Sequence, residues 1–197
     1  MPIAFTNNSA PNGYGGAVYN FVNNPSGGGL SIFNISGDFQ GNNASYGGAV
    51  ANQIEGGNGI DTFTLNGSFT GNVALQNGGA VVNYMGLSGN APYGNTNIFD
   101  FTGVISFNNN VAVNGSGGAI YNYINAGGET GETNLGTGVV FSGNSAANGK
   151  GGAIYNYGQT KKDRDGGAAP NNAKKRARDE VAACVKEYVG KALLKTY

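Results

Sequence analysis

The sequence has one cysteine, no histidine and no tryptophan among its 197 residues. A single Cys excludes an intramolecular disulfide framework, and without His the imidazole-based metal sites and triads are absent. No Lys or Arg precedes Lys150, so residues 1–149 hold no cation to neutralise a phosphate backbone or a developing anion. Nothing approaches 18 consecutive apolar residues, which excludes a membrane-spanning helix. The opening MPIAFTNNSA has neither the basic start nor the apolar run of a secretory signal peptide. There is no GxSxG, no Walker loop (Lys150 is followed by Gly151) and no CxxC. The formal net charge is zero, which argues against charge-driven disorder.

What the chain has instead is glycine, 37 residues, and an internal repeat. Five segments align: FTNNSAPNGYGGAVYN (5–20), FQGNNASYGGAVAN (39–52), FTGNVALQNGGAVVN (69–83), FNNNVAVNGSGGAIYN (107–122) and FSGNSAANGKGGAIYN (141–156). Each reads FxxNxA, a polar spacer, GGA, an aliphatic, a variable residue and Asn. The Phe positions are 5, 39, 69, 107 and 141, and a further apolar residue stands six before each later one: Phe33, Phe63, Phe101 and Leu135. Three short segments per repeat, alternating with period two and separated by Gly/Asn corners, predict one coil of a parallel β-helix with three strands.

Parity then assigns faces. The aliphatics at 18, 50, 81, 120 and 154 share a face with Asn20, Asn52, Asn83, Asn122 and Asn156, and with the Phe column (Phe5, Phe39, Phe69, Phe107, Phe141) they are expected inside. Buried amides are costly when unpaired, but coils about 4.8 Å apart let identical side chains pass hydrogen bonds along a column. The intervening Tyr19, Ala51, Val82, Tyr121 and Tyr155 are expected outside. A second column, Asn8, Asn42, Asn72, Asn110 and Asn144, is expected at a corner, adopting positive φ and bonding its own backbone. The pairs Gly15–Gly16, Gly47–Gly48, Gly78–Gly79, Gly117–Gly118 and Gly151–Gly152 supply another corner where coils approach closely.

FxxN with GGA[ILV] in tandem resembles the repeats of chlamydial polymorphic outer membrane proteins and related bacterial surface β-helix proteins, over residues 5–156. The resemblance implies a right-handed parallel β-helix displayed at the cell surface as an autotransporter passenger and used in adhesion. It implies a protein or glycan ligand on a host or neighbouring surface; the residues themselves lead to the expectation of no cofactor, metal or catalytic residue. The family's export signal and membrane β-barrel have no counterpart in these residues. The chain is therefore expected to be a fragment or an unusual member, with an intracellular location as the alternative.

Composition changes near residue 158. Residues 1–160 carry six acids and one base, and 161–197 carry ten bases and five acids. The expected organisation is a repeat domain over 1–158, a linker over 159–172 broken by Gly166, Gly167 and Pro170, and a basic amphipathic helix over 173–197. In the helix Val181, Val185, Tyr188 and Ala192 form the apolar stripe. Such a helix caps the solenoid or contacts a partner helix or anionic surface. A bipartite basic spacing, Lys161–Lys162 with KKRAR at 174–178, is a further reading.

The fold class expected is thus an all-β solenoid, a parallel β-helix of about five coils with a C-terminal amphipathic α-helix. GGNGIDTFT at 56–64 fits a calcium-binding nonapeptide, but nothing matching follows at 65–73, leaving the oxygen ligands unfilled; a Gly-rich bend explains it. A carbohydrate-active enzyme would need converging carboxylates. Asp38, Glu55, Asp61 and Asp100 stand near strand positions, with Asp61 and Asp100 as expected neighbours on adjacent coils. The connections 21–32, 53–62, 84–100 and 123–134 are candidate binding loops. The longest offers Tyr84, Met85, Leu87 and Tyr93, and Tyr14, Tyr19, Tyr46, Tyr121, Tyr155 and Tyr157 add aromatic surface. With a first coil lacking a lead-in strand, the chain is also suited to stack end to end.

Overall fold

The computed structural model describes residues 2–24, 29–56, 59–85, 96–126, 130–136 and 138–160. The linker and helix expected beyond residue 160 lie outside the described residues, as do Leu87 and Tyr93.

The chain winds in passes of three strands. The first is β1 (Ala4–Thr6), β2 (Ser9–Tyr14) and β3 (Val18–Asn24); the second is β4 (Gly29–Gln40), β5 (Asn43–Tyr46) and β6 (Val50–Gly56). The third is β7 (Gly59–Thr70), β8 (Val73–Ala74) and β9 (Val81–Met85), followed by β10 (Thr96–Asn108), β11 (Val111–Ala112) and β12 (Ile120–Ala126). The last is β13 (Thr130–Asn134), β14 (Val139–Ser142), β15 (Ser145–Ala146) and β16 (Ile154–Thr160). Three parallel sheets result. Sheet A orders β1-β4-β7-β10-β13 with β14 also on β10, sheet B β15-β11-β8-β5-β2, and sheet C β16-β12-β9-β6-β3. This is an all-β parallel solenoid of about four turns. The five motif copies mark its passes, but the first has only β1 in sheet A, paired with Asp38–Gln40.

The core is built as columns. Phe5, Phe39, Phe69, Phe107 and Phe141 are in register, and neighbouring rings stack at 4.6, 4.7, 4.8 and 5.0 Å with interplanar angles of 2–11°. Phe39, Phe69 and Phe107 are buried, while Phe5 and Phe141 at the two ends are half-buried.

The second aromatic column differs from the expectation. Phe33 and Phe63 continue to Phe99, with rings 5.3 and 5.0 Å apart, and then to Thr133. Phe101 pairs with Leu65 instead, and Leu135 is exposed. The cause is an irregularity in β10: Phe101 pairs with Leu65 but Ile105 with Gly67, so two extra residues enter this strand. A constant six-residue spacing to Phe107 therefore counts to the wrong residue.

Two amide ladders run beside the rings. Asn20, Asn52, Asn83 and Asn122 each donate Nδ2–H to the Oδ1 of the next, ending at Asn156, over 2.6–2.8 Å. The outer pair of this ladder is less buried than Asn52, Asn83 and Asn122, which are fully so. The other column works differently from the expectation. Positive φ belongs to the residue before each Asn: Asn7, Gly41, Gly71, Asn109 and Gly143. The side chain bonds neighbouring coils rather than its own backbone. Asn72 Oδ1 accepts from Asn42 N–H and Nδ2–H, and its Nδ2 donates to Asn110 Oδ1 and Phe39 O. Every polar atom of the side chain is thereby used, which makes burial tolerable.

The GGA bend fits only glycine. Gly15, Gly47, Gly78, Gly117 and Gly151 have φ between +57° and +73°. The second glycine is excluded from bearing a side chain by close approach, since a Cβ at Gly79 would lie 1.9 Å from the Gly118 carbonyl oxygen.

Candidate contact surface

The outward positions of sheet C carry two aromatic residues on β3, β12 and β16 and one on β9. Register aligns Tyr19, Ala51, Val82, Tyr121 and Tyr155 in one row and Phe21, Gln53, Tyr84, Tyr123 and Tyr157 in the next. Strand alternation places both rows on one face. Ala51 and Val82, although outward by parity, are fully buried, because the glycine bend passes over them: a Cβ at Gly47 would touch Val82 Cγ1 at 2.9 Å.

The rings form two clusters. In the first, Tyr14 stacks on Tyr46 at 5.0 Å and on Tyr19 at 5.3 Å, and Tyr19 reaches Phe21 at 6.1 Å. In the second, Tyr121 stacks on Tyr155 at 5.2 Å and Tyr123 on Tyr157 at 5.1 Å, with Tyr84 tilted against both Tyr121 and Tyr123. Polar contacts pin the first cluster: Tyr19 OH donates to Gln53 Oε1 at 2.9 Å, and Gln53 Nε2 donates to Glu55.

Burial pushes the phenols of Tyr14 and Tyr19 above their ordinary value, and the neighbouring tyrosine and then the Glu55 carboxylate add to it. Burial raises Tyr121 to about 12, and raises Tyr84 well above the usual phenol range despite a hydrogen bond with Asn77. These hydroxyls stay protonated at physiological pH and act as neutral donors and acceptors.

The sequence-predicted loop is only partly a loop. Tyr84 and Met85 end β9. Tyr84 joins the outer face, but Met85 is fully buried between Ile54 and Ile124 in register. It shares the inward parity of Val81 and Asn83, so it packs the core and makes no surface contact. Tyr123 and Phe21 were missed, although Tyr123 follows Tyr121 by the same two residues that separate Tyr157 from Tyr155.

Among the described residues, Asp38, Asp61 and Asp100 do not converge. Asp61 faces Asn97 in register, while Asp100 faces Thr64, three residues along the strand, so the expected Asp61–Asp100 adjacency is not formed; the same irregularity in β10 separates them. Asp38 accepts from Ser68 Oγ and Asp100 from Asn134 Nδ2. Asp61 is buried inside, next to Asn97, and among the described residues its Oδ2 and both amide atoms of Asn97 have no hydrogen-bond partner. Burial raises the Asp61 carboxyl and a hydrogen bond with Ser31 partly offsets this.

The stretch from the Phe stack through the glycine bend to the outward aromatic is also what comparison with known families detects. The Chlamydia polymorphic membrane protein repeat matches residues 2–21, 104–123 and 138–157. These three segments of the chain are similar to that repeat. Each match includes a stacked Phe, an Asn of each ladder and the GGA bend, and ends on an outward ring: Phe21, Tyr123 or Tyr157. The copies at 39–52 and 69–83 lie outside the matched segments but supply the same columns. No curated protein and no solved structure matches the chain.

Proposed function

We propose that this solenoid is a non-enzymatic module displayed at the cell surface and acting in adhesion, with the tyrosine rows of sheet C as its contact face. The polymorphic membrane protein repeat supports a surface setting. The observation that carries the reading is the cluster Tyr84, Tyr121, Tyr123, Tyr155 and Tyr157 on one outward face of sheet C. Tyrosine supplies large contact area with little side-chain entropy to lose.

The ring arrangement favours a protein ligand over a sugar. In Tyr121–Tyr155 and Tyr123–Tyr157 the faces are turned to each other, with interplanar angles of 26° and 12°. A pyranose stacks on an open ring face, whereas edges and hydroxyls suit the polar groups and apolar side chains of a polypeptide.

The test is binding of the purified full chain to intact host cells by flow cytometry, with Tyr121→Ser/Tyr155→Ser as the variant. Binding should fall at least about tenfold, the loss expected of one or two aromatic hot spots, and protease treatment of the cells should abolish it. Undiminished binding by a variant with wild-type circular dichroism would remove the contact face. Sensitivity to glycosidase instead of protease would replace the protein ligand with a glycan. Antibody labelling of unpermeabilised source cells tests the surface placement.

A further inference from the structure

The outward face of sheet C is not electrically uniform. Glu55 is the only charged residue in its five strands. Lys150 is the only Lys or Arg among the described residues, and it stands before β16 in the fifth pass, whereas Glu55 is in the second. Among the described residues the fold therefore sets no cation beside this carboxylate.

Its surroundings are an amide and a group of rings. Glu55 is half-buried on β6 and accepts from Gln53 Nε2, while Gln53 Oε1 accepts from the Tyr19 hydroxyl. The carboxylate's field reaches the ring cluster, since it helps keep the Tyr14 and Tyr19 phenols protonated. Phe21 pairs with Gln53, and Asn23 with Glu55. Phe21 and Glu55 are thus diagonal neighbours on the outward face, a relation that spans about 7–8 Å and leaves room for a long side chain to touch both. Along β3 Tyr19 stacks on Phe21 from one direction, and Glu55 stands in the other. Phe21 and Tyr19 are both exposed. A ring face and a carboxylate attract the same charge, and a guanidinium can stack on the first while donating to the second.

We infer that Phe21 and Glu55 form a subsite for an arginine side chain of the partner polypeptide, with Tyr19 and Gln53 holding the ring and the carboxylate in place. This rests on the reading of sheet C as a protein-binding face and adds the chemistry that face selects. The two ring clusters then take different parts of the partner. The one around Tyr121 and Tyr155, on strands without charge, receives neutral side chains, and the one around Phe21 receives the positive charge. A neutral sugar offers nothing to the second.

An NMR titration of the full chain, labelled in its Phe and Tyr rings, tests this with N-acetyl-arginine amide and its neutral analogue N-acetyl-citrulline amide. The arginine probe should shift the Phe21 and Tyr19 ring resonances saturably, and the citrulline probe at equal concentration should not. Glu55→Gln keeps an acceptor for Gln53 and removes the charge, so it should weaken arginine binding about threefold, the loss of one exposed ion pair. Phe21→Leu should weaken it about threefold through the lost ring face. Circular dichroism checks that both variants are folded. Equal shifts from the two probes, shifts centred away from Phe21, or wild-type affinity in Glu55→Gln would each overturn the subsite. The contact face is judged separately, by cell binding of Tyr121→Ser/Tyr155→Ser in the other cluster. Loss of cell binding there, with Phe21 unmoved by the arginine probe, would keep the face and discard the arginine.

Discussion

The Phe column makes the sharpest test of how the solenoid is held, because one side chain recurs in different settings. Phe107 is fully buried, stacked at 4.8 Å on Phe69 and 5.0 Å on Phe141, and edge-on to Phe101 at 6.2 Å. Phe5 is half-buried with one stacked neighbour. Truncating a buried Phe to Ala costs about 3–5 kcal/mol, transfer and cavity terms together. Phe107→Ala loses two face contacts in a site walled on both sides by coils that cannot collapse, so about 4 kcal/mol is expected. Phe5→Ala removes roughly half the burial and one face contact, for about 1.5–2 kcal/mol on the same scale. Urea unfolding followed by circular dichroism measures both. At this length the Phe107 change corresponds to a fall of about 8–16 °C in Tm. The slope of the denaturation curve must be compared between variants, because a broken middle coil can uncouple the two halves of a repeat array. Equal losses at Phe107 and Phe5, or a loss at Phe107 below about 1 kcal/mol, would refute the claim that coil-to-coil ring stacking forms the core.

Two further outcomes follow from backbone approach and from the buried acid. Gly79→Ala should cost about 3 kcal/mol, since its methyl must displace the Gly118 carbonyl and Val111 backbone. Gly71→Ala has open space around it but φ of +63°, so it should cost only about 1–2 kcal/mol of left-handed strain; equal losses in urea unfolding would contradict the close approach. Burial raises the Asp61 carboxyl above its ordinary 3.8, so the folded state holds its proton more tightly than the unfolded state does. Its stabilising contribution is complete below about 3.8 and is lost as pH rises through the higher folded value. Asp61→Asn removes that loss. The variant's stability relative to wild type should increase from pH 3 to pH 7, and a difference that is flat with pH would show that Asp61 ionises as freely in the fold as outside it.

The fold was legible because a solenoid repeats each physical requirement in the sequence. A Phe, two Asn and a Gly pair at constant order identify a coil without knowledge of its neighbours, and the parity of Val81 and Asn83 alone places both inside. What failed was counting across an irregularity. β10 carries two residues more than β7 between matching positions, which misassigned Phe101 and moved Asp100 away from Asp61. The corner Asn column was misread for a related reason. Positive φ is shared among Asn7, Gly41, Gly71, Asn109 and Gly143, a mixed column that a search for one recurring residue type passes over. Met85 was hidden by a strand end: a connection taken to begin at residue 84 overlooked that alternation continues one residue further into the core.

The outer aromatic face was less legible because its residues vary. The inner columns must match their neighbours at about 5 Å and so stay Phe or Asn, whereas outward positions run Tyr, Ala, Val, Tyr, Tyr in one row and Phe, Gln, Tyr, Tyr, Tyr in the next. Register alone reveals that these variable residues adjoin. The same division explains how a chain with 37 glycines forms a fixed scaffold. The interior leaves each coil little freedom, since the Phe5–Phe141 stack, both Asn ladders and the glycine bends meet identical partners above and below. Outside Ala51 and Val82, which the glycine bend covers, the outer face takes no part in the ladders, so its side chains can change without disturbing a ladder bond. On the proposed reading, recognition and folding fall to opposite parities of the same strands. A substitution in the tyrosine rows should accordingly alter binding at little cost in stability, while one at an Asn or Phe column alters stability first.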